Sequence, residues 1–235
     1  MIRLLFILLL LPNLLYSQSF YLDDNGITIK CEKAAIGDRG VVNGVTYVKR
    51  TVEQITSQNV STTCTSGITN TQRLFRNKGD FDGYISHWDV SNVVNMKEMF
   101  FDAFEFNGDI SHWDVSNVEN MDRMFWRATS FSRYIGDWDV SSVRSMNEMF
   151  ALTQYNGDLS KWDVSKVRFF RYTFYGNQAF SSDLSNWNVS SAEDMNGMFR
   201  FSESFSSDLS EWNVSRVRYM DRMFEDAFSF KSDLS

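Results

Sequence analysis

The sequence predicts an α/β solenoid of six stacked 25-residue repeats, each a very short parallel strand followed by a short helix. Three observations carry this. Tryptophans recur at 88, 113, 138, 162, 187 and 212, a nearly constant spacing with a single one-residue deletion. Between them the same residue types return in the same order, approximately [IL]-[SG]-x-W-[DN]-V-S-x-[VA]-x-x-M-x-x-M-F-x-x-A-x-x-F-x-x-D. Within each unit the apolar positions keep the spacing of one helical face.

The segment 1–19 reads as an export signal: Arg3 supplies the positive end, Leu4 to Leu11 the apolar run, and Ser17-Gln18-Ser19 a small-residue cleavage pattern. Pro12 and Asn13 interrupt the apolar run before the roughly 20 residues a membrane span needs, so no span is expected. Positions 20–73 form a head or cap, which holds both cysteines of the chain, Cys31 and Cys64. In an exported protein their natural fate is one disulfide.

The repeat region is 74–235, with full units starting at Ile85, Ile110, Ile135, Leu159, Leu184 and Leu209 and a half-unit before them marked by Phe75 and Phe81. Val93, Met96, Met99, Phe100 and Ala103 fall at i, i+3, i+6, i+7 and i+10, which predicts a short helix with Ser91 as its N-cap. The stretch around Asp109-Ile110-Ser111 is expected to supply the parallel strand. Repeat three carries the deletion, between Phe150 and Tyr155. Repeat four replaces the two methionines with Phe170 and Thr173 and the alanine with Asn177. A single unit cannot offset the entropy lost in ordering its own chain, so the repeated Trp, Val, Met and Phe columns are read as core buried between neighbours. The abrupt stop after "FKSDLS", where a seventh unit opens without its Trp, reads as an incomplete array with an open edge suited to self-association.

The stretch "HWDVSNVVNMKEMFFDAFEFNGDIS" at 87–111 and its copies over 74–235 closely resemble the BspA-type leucine-rich-repeat surface proteins of bacteria, and 21–50 resembles the head segment of secreted members. The resemblance implies a leucine-rich-repeat-like solenoid, a surface or secreted location, and a role in adhesion or protein binding. It assigns Trp88, Asp89, Val90, Ser91, Val93, Met96, Met99 and Phe100 to the architecture and brings no catalytic residues.

The formal charge of −7, or −8 without the leader and its Arg3, disfavours nucleic acid or an anionic membrane as partner. His87 and His112 share a column that later holds Asp137, Lys161, Asn186 and Glu211. A position that accepts both charge signs reads as a solvent position. With no nucleophile–base pair and no metal-ligand spacing, the chain reads as non-enzymatic and without a cofactor. Asp109, Asp158, Asp183, Asp208 and Asp233 recur immediately before the strand, in a ladder interrupted by Tyr84 and Tyr134, and read as turn formers, with calcium binding as the alternative. Asn59, Asn188 and Asn213 open N-V-S sequons, and the last two share the Asx-turn column of Asp89.

Recognition is sought in the column after Met-Phe, which runs Phe101, Trp126, Ala151, Tyr175, Arg200, Glu225 and so is not core. Phe101, Trp126 and Tyr175, with the neighbouring Arg127, are the candidate binding residues. Either they form an apolar strip fit for a protein partner or a surface glycan, or they are covered by the adjacent repeat or the cap. The functional expectation is a secreted or cell-surface protein-binding module, with a glycan-binding module or envelope scaffold as the alternative.

Overall fold

A computed structural model describes residues 19–232. The expected export signal lies, except for Ser19, outside the described residues, as does Asp233.

The cap is built from five short strands: β1 (Tyr21–Leu22), β2 (Ile29–Lys30), β3 (Arg39–Val42), β4 (Val45–Lys49) and β5 (Thr63–Cys64). β1 and β2 pair antiparallel, β3 and β4 form a hairpin, and β5 adds to β4 in parallel. The hairpin turns at Asn43-Gly44, both with positive φ (50° and 79°), the two-residue geometry whose twist matches the flanking strands. Cys31 and Cys64 are joined as a disulfide inside a small core with Phe20, Ile29, Ala34, Val42 and Tyr47. Gly40 lies against the Phe20 ring, where a Cβ would collide with it.

From Asn70 onward the chain makes a column of repeats in parallel register. A single bridged residue per unit links Asn70, Asn95, Asn120, Ser145, Phe169, Asp194 and Tyr219 in sequence. The described residues contain no α-helix, and outside the cap no strand longer than such a bridge. The α/β, leucine-rich-repeat-like solenoid of strand plus helix is therefore not what this chain forms, and Ser91 caps no helix. Its amide and hydroxyl instead bond Asp89 Oδ1 at 3.2 and 2.7 Å.

The reason is visible in where the amides go. In a helix, each N–H would reach the carbonyl four positions back. Here they alternate. Met99, Phe101 and Ala103 donate to carbonyls three positions back, at Met96, Glu98 and Phe100 (3.1–3.3 Å). Met96, Glu98, Phe100 and Asp102 donate instead to Asn120, Asp122, Met124 and Trp126 of the next repeat (2.8–2.9 Å). Overlapping short turns bury every third or fourth side chain, much as a helix does, so the periodicity is the same while the hydrogen bonds are not.

The turns require left-handed backbone at two columns. Arg73, Glu98, Arg123, Glu148, Tyr172, Gly197 and Arg222 form one (φ 54–62°), and Asn77, Asp102, Arg127, Leu152, Gly176, Phe201 and Asp226 the other (φ 53–64°). Each non-glycine there costs about 1–2 kcal/mol, and the ladder to both neighbours holds it in place.

The expected parallel strand at Asp109-Ile110-Ser111 is also replaced. There the backbone bonds side chains: Ser111 donates to Asp109 Oδ1 from N and Oγ, and the Ser86 hydroxyl donates to the Asp109 carbonyl. Parallel pairing sits earlier in the chain, at Asn95 and its equivalents.

Two aromatic columns form the spine. Phe100 stacks on Phe106 within its unit (3.9 Å between ring centres) and on Phe125 of the next (5.6 Å). Phe75 and Phe81 make the same pair in the half-unit. Each repeat Trp is buried and donates its indole N–H to a carbonyl 27 or 28 positions back, Trp88 to Val60 of the cap and the others to the preceding repeat: Trp113 to Ile85, Trp138 to Ile110, Trp162 to Ile135, Trp187 to Leu159 and Trp212 to Leu184 (2.9–3.2 Å). Repeat four absorbs its irregularities with hydrogen bonds. The Thr173 hydroxyl donates to the Phe170 carbonyl at 2.7 Å, and Asn177, fully buried, donates to the Tyr155 carbonyl at 2.9 Å.

Candidate functional site: an aromatic groove on the turn face

The two left-handed columns and the column between them make one face of the stack, and charge pairs cover most of it. Along the first column, Arg73 and Arg76 hold the buried Glu98 at 2.7 and 2.6 Å, and Arg123 grips Glu148 with two hydrogen bonds (3.0 and 2.7 Å). Burial pushes the Glu98 carboxyl up, but the hydrogen bond from Arg73 and the charges of Arg76 and Arg73 outweigh it and hold it below the usual carboxylate range. Beside them Arg127 pairs with Asp102 at 3.0 Å, and Arg200 with Glu225 at 2.9 Å.

The predicted binding residues all lie on this face. Phe101 and Trp126, both half-buried, stack at 4.3 Å with nearly parallel rings. Arg76 caps Phe101 from one side, and Arg127 lies over Trp126 and Phe104. Trp126 and Tyr175 come together as walls of a 340 Å³ groove completed by Glu148, Ala151, Leu152, Tyr172 and Arg200. Phe101 and Arg127 are not in the groove but back its Trp126 wall. Leu152 and Tyr172 escaped the sequence reading because a helix would have directed them elsewhere. The signal available was Ala151, small in a column of large residues, with Gly176 and Gly197 in the two columns beside it.

Elsewhere the surface carboxylates are tied into turns. Asp109, Asp158, Asp183 and Asp208 each accept the amide of the serine two positions on (2.9–3.0 Å); that bond holds the last three carboxyls below the usual range, and at Asp109 the Ser111 hydroxyl does so first, with the amide second. One turn later the side-chain oxygens of Asp114, Asp139, Asp163, Asn188 and Asn213 each accept the amide of the serine two positions on (3.0–3.1 Å).

The histidine column divides. His112 is exposed, but His87 is buried at the cap junction, contrary to its reading as a solvent position. Its Nε2 donates to the Thr63 carbonyl at 3.0 Å, and its ring lies between Tyr47 and Tyr84. Burial lowers its pKa to about 4. Asp89 next to it accepts from Ser66, Ser91 and Lys30 (2.6–3.0 Å).

A column of turn-built units with an aromatic groove on one face defines a repeat protein. The chain belongs to the family described as "Mycoplasma protein of unknown function, DUF285", whose pattern matches residues 45–156 and again 151–235. No curated protein and no solved structure matches it. Among the described residues no helix is long and apolar enough to cross a membrane.

Proposed function

We propose that this chain is a secreted or cell-surface, non-enzymatic repeat protein that docks protein partners on its turn face, in the manner of adhesive surface modules. The single observation that carries the reading is the groove at Trp126, Tyr172 and Tyr175: half-buried aromatic rings bordered by pre-formed ion pairs, the anatomy of an interaction hot spot. The leader-like segment 1–19, the paired cysteines and the likeness of the repeats to BspA-type bacterial surface proteins support the extracellular part. A non-enzymatic role is supported by the engagement of the reactive side chains: His87 is locked into the cap junction, and the Asp columns close turns.

Binding of the fluorescently labelled protein to host cells tests this. Saturable binding, removed by Trp126→Ala/Tyr175→Ala and by protease treatment of the cells, is the expected result. Binding removed by glycosidase but not protease would favour a glycan ligand instead. Absence of binding by folded protein would overturn the surface-binding reading. N-terminal sequencing of protein recovered from the medium should begin just after Ser17 or Ser19.

A further inference from the structure

Every joint between repeats is made in the same way, and the joint at the cap is only half made. At each of the six joints from the half-unit to the last unit, four alternate amides reach four carbonyls of the next unit at 2.7–3.0 Å. In the first, Thr71, Arg73, Phe75 and Asn77 donate to Asn95, Lys97, Met99 and Phe101; in the last, Met195, Gly197, Phe199 and Phe201 donate to Tyr219, Asp221, Met223 and Glu225. A fifth bond runs the other way, from the Val94 amide to the Thr69 carbonyl and from the Arg218 amide to that of Glu193 (2.8 Å each). On its cap side the half-unit presents the accepting side of this pattern with nothing on it. No described residue donates to the carbonyls of Asn70, Gln72, Leu74 or Arg76, and none accepts from the Thr69 amide. The cap fills only the other half of the joint. Val60 takes the indole N–H of Trp88 as Ile85 takes that of Trp113, and Ile55 and Val60 enter the repeat core. Along the carbonyl row two grooves remain. One, of 790 Å³, lies between cap residues 49–53 and Asn70, Gln72 and Arg73; the other, of 270 Å³, lies between residues 55–58 and Leu74, Phe75 and Lys78. Asn70 is exposed, and Gln72, Leu74 and Arg76 are half-buried.

We propose that this row is a docking site for one extended segment of a protein partner, which lies parallel to residues 69–76 and completes the joint by strand addition. The site is separate from the aromatic groove and does not depend on it. Its chemistry follows from the row. Acceptors at every second residue, preceded by one donor, match the alternation of a polypeptide backbone, and the six interior joints make that match. Four carbonyl oxygens in a row disfavour an anion. The cations beside the row are already engaged, Lys49 by the Cys31 and Glu32 carbonyls, Arg50 by that of Thr62 and Arg73 by Glu98. Affinity therefore rests on the guest's backbone, with apolar contact from Ile36, Val52 and Ile68. A whole repeat, such as the end of a second copy, does not fit, because Ile55 and Val60 stand where its core half would go.

The probe is the peptide acetyl-EDMNGMFRFS-amide, the sequence of residues 193–202. This segment donates across the last interior joint, and its Gly197 takes a left-handed position (φ 57°) without steric cost. Titrated into the ¹³C- and ¹⁵N-labelled full chain, it should shift the carbonyl-carbon signals of Asn70, Gln72, Leu74 and Arg76 and the amide signal of Thr69 saturably. N-methylation of the peptide at the positions of Met195, Gly197, Phe199 and Phe201 removes the four donors and keeps the side chains. It should weaken binding at least about tenfold. No saturable shift in the row, equal binding by the methylated peptide, or shifts confined to Trp126, Tyr172 and Tyr175 would each overturn the site. Association of the chain with itself in sedimentation, competed by the peptide, would give the row to a second copy and overturn the partner assignment. Peptide binding by protein that binds no cells would keep this site while the surface-binding role fails.

Discussion

The first repeat and the interior repeats carry nearly the same sequence, yet the same columns do different things in them. His87 is buried against the cap with its pKa lowered to about 4, whereas His112, one unit on, is exposed. Asp89 is buried and bonded to Lys30 of β2, while Asp114 closes an exposed turn. In the interior every unit meets a copy of itself, so one set of contacts serves each interface. At the junction the repeat meets a different partner, and positions that are solvent-facing in the array become buried polar contacts. Repetition therefore fixes the core, while the junction is held by particular residues.

Mutations can break this contrast, the largest effect being expected in the interior. Trp138→Ala empties a buried indole site and removes its hydrogen bond to the Ile110 carbonyl, so it should cost about 4 kcal/mol in denaturant unfolding. Trp212→Ala, in the last full repeat with a less covered ring, should cost less.

The junction should appear as a pH dependence. His87 stays neutral when folded but takes a proton near pH 6.5 when unfolded, so the unfolded state binds more protons between its folded pKa of about 4 and that value. Stability should therefore be full above about pH 6.5 and fall by about 3 kcal/mol as pH drops to about 4, with no further loss from this group below that. His87→Gln should flatten the slope, and His112→Gln should leave it unchanged.

A smaller contrast belongs to the carboxylates. Burial pushes the Asp89 carboxyl up, but hydrogen bonds from Ser66, Ser91 and Lys30 outweigh that and hold it low. Asp89→Asn removes the charge opposite Lys30 and should cost about 2 kcal/mol, whereas Asp114→Asn keeps its turn and should stay within about 0.5 kcal/mol.

Much of this architecture was legible in the chain. The Trp ladder, the unit boundaries and the buried columns of Val93, Met96, Met99 and Phe100 follow from periodicity alone. The backbone between them did not, because overlapping turns and a helix bury side chains at the same three- and four-residue steps. What separates them is the destination of each amide, and that is a contact between one unit and the next. Composition gave no warning either, since Arg, Glu and Leu, good helix formers, occupy the left-handed positions at 73, 98 and 152. At the groove, Trp126 and Tyr175 stood out as large side chains in a variable column, while Leu152 and Tyr172 join them only through the turn geometry.

The central claim is that the stretch from Met96 to Ala103 is a set of turns bonded to the next repeat. Through-hydrogen-bond NMR couplings on deuterated, ¹⁵N- and ¹³C-labelled protein test it directly. The Glu98 amide nitrogen should couple to the carbonyl carbon of Asp122, and Phe100 to that of Met124. Couplings from Glu98 to Val94 and from Phe100 to Met96, the helical partners four positions back, would contradict the account.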